Sequence, residues 1–282
     1  MSKDTAASVK QKLLNKAREN GRPFNEILQY YVMERFLFRL SKSTHNKRYI
    51  LKGAMMLRAW QSPELRPTMD IDMLGITSNE IDNIVSQIKD IALVEVDPDG
   101  LLFDTFTITA EEITEDADYR GVRISMHAFL DKAKIKIQVD IGFGDVVHPG
   151  YGKLKLPTVL DMPAPVLLGY SKESAIAEKF QAMVKLGIIN SRMKDFYDIW
   201  LLSRQYYFDK STLAEAIRLT FENRETALPD EIVAFSDNFI QEKQIQWTAF
   251  RKRLDHEHIP EDFREIVNII KDFLLPVLEL IV

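Results

Sequence analysis

Asp70 and Asp72 stand one residue apart in the run TMDIDMLGI, among Met69, Ile71, Met73 and Leu74. Burying an unpaired carboxylate in such an apolar run is unfavourable or forces it to take up a proton. On a strand, residues i and i+2 share a face, so the two carboxylates project side by side while Ile71 points into the opposite layer. They repel unless a proton or a cation lies between them. A divalent ion with oxygen ligands, most simply Mg2+, suits this pair, and so does a strand end whose aspartates reach water or backbone amides. A later run, KIKIQVDIGFGD, places Ile135, Ile137, Val139 and Ile141 on one face and Lys136, Gln138 and Asp140 on the other. On a neighbouring strand, Asp140 would complete a cage of three aspartates.

Lys52-Gly53-Ala54 ends a strand at a turn, where glycine lets the backbone approach a phosphate closely. Further on, Ile176, Phe180, Met183 and Val184 mark the apolar face of a helix with Lys179 at its border. A lysine there can turn into a cleft and act as a compact charge on a triphosphate, or lay its stem along the core with the ammonium in water. In SRMKDFYDIW, Asp195 and Asp198 share a helix face while Phe196, Ile199 and Trp200 pack inward. Asp195 is also explained as an acidic first-turn residue. His45, His127 and His148 are isolated, and His256 and His258 lie two apart where they diverge, so no histidine metal motif is expected and these residues belong at the surface or in loops. Zero cysteines exclude disulfides, thiolate nucleophiles and cysteine-bound zinc. No Walker loop and no Gly-x-Ser-x-Gly are present.

The elements that must hold these residues read as a sheet domain followed by helices. SVKQKLLNKAREN and PFNEILQYYVMERFLFRLSKS have helical spacing, RYILKGA is a short β-type run that stops at Gly53, and MMLRAW is a short helix. Met69–Leu74 reads as the next strand, 80–91 as a helix, and 101–109, 120–128 and 134–143 as three more strands. HPGYGKLKLPTVLDMPAPVLLGY, rich in Pro and Gly, reads as a loop-rich crossing. Beyond it, 172–186, 194–204, 211–223, 230–254 and 261–281 read as helices. The expected fold is α/β (α+β), with a mixed-sheet domain over 1–168 and a helical domain over 169–282.

With 282 residues, 46% of them apolar and 28% charged, the chain can form a substantial core. It contains no run long enough for a membrane span and no secretory leader, which predicts a cytoplasmic protein without membrane partners. The net charge of -5 is unevenly spread. Residues 1–50 carry eleven Lys or Arg against four Asp or Glu, and residues 80–120 carry twelve acids against Lys89 and Arg120. A basic flank is compatible with a polyanionic partner, although a charge run is usually a solvated face.

The order strand, glycine turn, short helix, Asp-x-Asp strand and later strand aspartate resembles the nucleotidyltransferase superfamily that includes polymerase β and the aminoglycoside nucleotidyltransferases. The wider text, ERFLFRLSKSTHNKRYILKGAMMLRAW, then RPTMDIDM, then EKFQAMVKLGIINSRMKDFYDIW, is similar to the AbiEii toxin-type nucleotidyltransferases over about residues 10 to 205. One departure is Ala54, where the superfamily usually has Gly or Ser.

The resemblance implies a nucleotidyltransferase-fold domain completed by a helical domain, with NTP bound between them. It gives Asp70 and Asp72 to two Mg2+ ions, with Mn2+ as a substitute, and Asp140 to metal binding or to deprotonating an acceptor hydroxyl. Lys52, Gly53, Arg66 and Thr68 become nucleotide contacts, Lys179 a triphosphate cation, and Asp195, before Asp198, the acid of the cleft. Arg192 and Lys194 are left for phosphate or RNA. For the toxin branch the resemblance implies a tRNA 3′ end as acceptor and a cognate antitoxin, with Lys10, Lys12, Lys16, Arg18 and Arg22 available to RNA phosphates. Transfer of AMP to a protein or small molecule, and a non-catalytic nucleotide-binding regulatory module, remain alternatives.

Overall fold

The computed structural model describes residues 3–62, 66–115, 119–254 and 258–281, which leaves His256 outside the described residues. The chain forms two compact units, residues 1–144 with 152–169, and residues 145–151 with 170–282.

In the first unit, helix α1 (Lys3–Glu19) buries Ala6, Val9, Leu13 and Ala17, one position per turn. Helix α2 (Phe24–Lys42) is buried from Ile27 to Leu40 and so carries charges inside the unit. Each of these has a partner, as buried charge requires. Arg39 forks onto Asp99 at 2.5 and 3.1 Å, and Arg35 pairs with Glu34 at 2.9 Å. Burial pushes the Glu34 carboxyl up to about 7 against the pull of Arg35.

Strand β1 (Tyr49–Lys52), helix α3 (Met55–Ala59), strand β2 (Ile71–Gly75), helix α4 (Ile81–Ala92) and strands β3 (Leu101–Glu115), β4 (Tyr119–Leu130) and β5 (Ala133–Phe143) follow. Strands β6 (Gly152–Lys155) and β7 (Val166–Gly169) complete a seven-stranded sheet in the order β3-β4-β5-β2-β1-β7-β6. The sheet is mixed: β1 runs parallel to β7 and β2 parallel to β5, while the other neighbours are antiparallel.

Two sequence expectations need correction here. The segment expected to be a loop-rich crossing contains β6 and β7, because four-residue strands beside prolines offer too short a period to stand out. The strand expected from Met69 begins at Ile71, and Met69 is 61% exposed on a bend before it.

The second unit contains α5 (Lys172–Leu186), α6 (Met193–Gln205), α7 (Lys210–Asn223), α8 (Asp237–Leu254) and α9 (Phe263–Leu278). Ser171, Asp209 and Asp262 cap α5, α7 and α9 through their side chains. The helix expected from residue 230 starts at Asp237, preceded by a 3-10 turn over Val233–Phe235. Phe180, Phe196, Trp200, Phe239, Trp247 and Phe263 form the aromatic core.

Residues 145–151 join these helices through polar contacts. Arg224 donates to Asp145 at 2.8 Å, and the Tyr170 hydroxyl donates to Asp145 at 3.3 Å. The backbone N–H of His148 donates to the Ser174 hydroxyl at 2.8 Å, and the Ser171 hydroxyl donates back to the His148 carbonyl at 2.6 Å. Among the described residues no helix is long and apolar enough to cross a membrane.

Candidate active site

Strand pairing builds the first cluster. Lys52 on β1 lies opposite Asp72 on β2, Asp72 opposite Asp140 on β5, Asp140 opposite Arg123 on β4, and Arg123 opposite Glu111 on β3. Directly paired residues project to one face of a sheet, so five charged side chains form a row across five strands. Asp70, on the bend just before β2, adds its carboxylate to this row. One oxygen from each of Asp70, Asp72 and Asp140 lies within 4.8 Å of the others. This set of hard oxygen donors, with no sulfur and no imidazole, fits Mg2+ or a similar divalent ion.

The surroundings hold these carboxylates in place. The Thr68 hydroxyl donates to Asp70 Oδ1 at 2.5 Å, so it orients the acid that the sequence placed beside it. Gly53 has φ +68, and a Cβ there would lie 1.9 Å from Asp72 Oδ2. Glycine is required at this turn because the Asp72 carboxylate occupies the space of a side chain. Lys52 is buried, and Arg66 is partly exposed with its carbonyl accepting from the Tyr30 hydroxyl at 3.3 Å.

Arg123 was not among the candidates drawn from the sequence. Its Nε and Nη2 donate to Asp140 Oδ1 and Oδ2, both at 2.8 Å, and Gln138 Nε2 donates to Oδ2 at 3.2 Å. The bonds to Asp140 push the Arg123 guanidinium further above its ordinary range despite partial burial, with Glu111 and Asp70 adding to the effect. The signal was present in the two-residue turn at Asp131–Lys132. A tight hairpin there pairs Leu130 with Ala133 and, by counting back along both strands, Arg123 with Asp140.

A second cluster lies in the helical unit. Lys179 on α5 reaches Asp195 at 3.3 Å and Asp198 at 2.8 Å, both on α6. Arg192 reaches the other oxygen of Asp195 at 2.6 Å. Asp195 and Asp198 have side-chain exposures of 0% and 1%, and Lys179 retains 15%. The ammonium is therefore held by two buried aspartates at the edge of the unit. Lys194, one residue from Asp195, is exposed.

The sequence expectations fare differently around these clusters. Of the five basic residues considered for RNA, Lys10, Lys16 and Arg22 pair with Asp131, Glu19 and Glu26. His45, expected at the surface or in a loop, lies in the turn before β1, where it is buried and 3.1 Å from Asp90, because a polar ring can go inside when a carboxylate meets it. His258 is exposed.

A family profile described as "Nucleotidyl transferase AbiEii toxin, Type IV TA system" matches residues 35–269. The chain belongs to this AbiEii family. It is a nucleotidyltransferase of the toxin–antitoxin type, and such a family implies a nucleotide substrate and an antitoxin partner. No curated protein matches the chain at a significant level.

Among solved structures, the fold of this AbiEii member is similar to that of MenT4, a nucleotidyltransferase toxin from Mycobacterium tuberculosis H37Rv. The TM-score is 0.55 with 14% identity, over 98% of this chain and 99% of that one. It is also similar to JHP933 from Helicobacter pylori, with TM-score 0.53 and 13% identity, over 90% and 92% of the two chains. At such identities the likeness concerns the fold, here a mixed α/β nucleotidyltransferase-like architecture.

Proposed function

We propose that this AbiEii-family chain transfers a nucleoside monophosphate from an NTP to the 3′ end of a tRNA in the cytoplasm, and that a cognate antitoxin restrains it. The observation that carries the transfer reaction is the meeting of Asp70, Asp72 and Asp140 beside the Gly53 turn. These three residues would hold Mg2+. A bound divalent ion supplies Lewis-acid stabilisation of phosphate charge. The acceptor hydroxyl oxygen bonds to the α-phosphorus as its proton passes to a cage carboxylate or to water, the bond from that phosphorus to the bridging oxygen of the β-phosphate breaks, and pyrophosphate leaves.

The residues of the chain bind and orient. Thr68 holds Asp70 and Gly53 makes room for Asp72. Lys52 and Arg66 are assigned to nucleotide phosphates. Lys179 is assigned to triphosphate as the resemblance implies, its ammonium held by Asp195 and Asp198. Arg192 and Lys194 lie on the same turn for phosphate or RNA backbone. Lys12 and Arg18, both exposed on α1, support an RNA acceptor.

One observation favours a second acceptor class. Lys10, Lys16, Arg22, Arg35 and Arg39 all engage carboxylates, which reduces the positive field available to RNA and leaves transfer of AMP to a protein as the rival. The test is to incubate the protein with each labelled NTP, Mg2+ and either total RNA or a protein extract. Label in the tRNA band, lost with EDTA and reduced as salt rises, supports the first reading. Label in protein moves the acceptor to the second. Absence of label in every combination overturns nucleotide transfer.

A further inference from the structure

We propose that Arg123 is a positioning residue, whose guanidinium fixes the plane of the Asp140 carboxylate so that this acid can serve with Asp70 and Asp72 as a cation ligand. The inference rests on the metal-cage reading above and assigns a role to a residue outside that cage. It begins with register: the β4–β5 hairpin sets Arg123 directly opposite Asp140 on the same face.

The contact is a fork, with Nε on one carboxylate oxygen and Nη2 on the other, both at 2.8 Å. Two parallel bonds to a planar group fix its rotation as well as its position. Gln138, two residues earlier on the same strand, adds a third bond at 3.2 Å. An ionised carboxylate has about four acceptor sites, so roughly one remains for a cation. Asp140 is 6% exposed, whereas the Arg123 side chain is 35% exposed. The carboxylate is thus braced from the neighbouring strand β4 by a more exposed side chain, while its oxygen stays within reach of Asp70 and Asp72.

A lysine at position 123 preserves the charge and loses the fork. That separates orientation from electrostatics, because removing the charge altogether would itself make the cage more attractive to a cation. The same unit provides a comparison. Arg39 forks onto Asp99 with both side chains buried, and Asp99 is no member of the cage.

The experiment titrates the intact protein with Mn2+ and follows free Mn2+ by electron paramagnetic resonance, alongside a melting curve, without nucleotide or acceptor. Arg123→Lys should weaken Mn2+ binding about 10- to 100-fold, as loss of a partner that orients a ligand does, while the melting temperature stays near that of the native protein. Arg39→Lys should lower the melting temperature and leave Mn2+ affinity within twofold. In an Asp140→Asn background, Arg123→Lys should have no further effect on Mn2+, because its action runs through Asp140. Unchanged Mn2+ affinity in Arg123→Lys overturns the inference alone, as does a further loss in the Asp140→Asn background. A native protein that takes up no Mn2+ overturns the cage and the inference together.

Discussion

In the sheet unit, Asp70, Asp72 and Asp140 converge within 4.8 Å, with Arg123 bonded to one of them and Thr68 to another. In the helical unit, Asp195 and Asp198 are fully buried and are met by Lys179 and Arg192, two acids against two bases. The first group sets four acids, Asp70, Asp72, Asp140 and Glu111, against Lys52 and Arg123, and so keeps an excess of negative charge at a partly exposed strand end. The second balances its charge within the fold. Like charges held together cost stability that a bound cation recovers, whereas removing one member of a balanced buried group strands the others. The two clusters should therefore respond in opposite ways to the same kind of substitution.

The largest expected effect tests the first half of this contrast. Asp70→Asn or Asp72→Asn should slow nucleotide transfer about 1000-fold, as expected when charge stabilisation at the phosphates is lost. The melting temperature should stay near that of the native protein, because the cluster holds more acids than bases and gives up one acid. A marked fall in melting temperature would mean that the acids of the sheet unit are structural, and the contrast would disappear.

Asp198→Asn tests the other half. Leaving Lys179 without this partner should cost about 3 to 5 kcal/mol of stability, read from chemical denaturation, before any change in transfer is considered. A variant as stable as the native protein would show that the Lys179 ammonium is already satisfied elsewhere, and that the helical cluster is not the balanced one. Gly53→Ala has a smaller expected effect and sharpens the comparison. The added methyl must displace the Asp72 carboxylate, and a misplacement of about 1 Å can slow a reaction about 100-fold. Transfer should fall by that factor, with only a modest loss of stability from the positive φ. Native activity would place Asp72 outside the reacting centre.

Much of this arrangement could be read from the residues. The alternation in KIKIQVDIGF placed Asp140 on the polar face of its strand, and the apolar spacing of α5 placed Lys179 at a border, because periods of two and 3.6 are local properties of the chain. Local pattern also lets Asp195 and Asp198 share a face on α6. It could not show that both would be sealed from water around Lys179, since that depends on α5 packing beside α6. For the same reason the sequence left Lys179 divided between solvent and a cleft.

The sequence by itself determined the element types outside β6 and β7, the polar face of β5 and the similarity to a family, all of which rest on neighbours within a few residues. Only the tertiary structure decided the row Lys52, Asp72, Asp140, Arg123 and Glu111, which joins five strands whose order departs from that of the chain. It also decided that Arg224 would meet Asp145 and that Gly53 would lie against Asp72. These contacts depend on strand order and helix packing, which are set by burial of the whole core, and no short window of sequence contains that information.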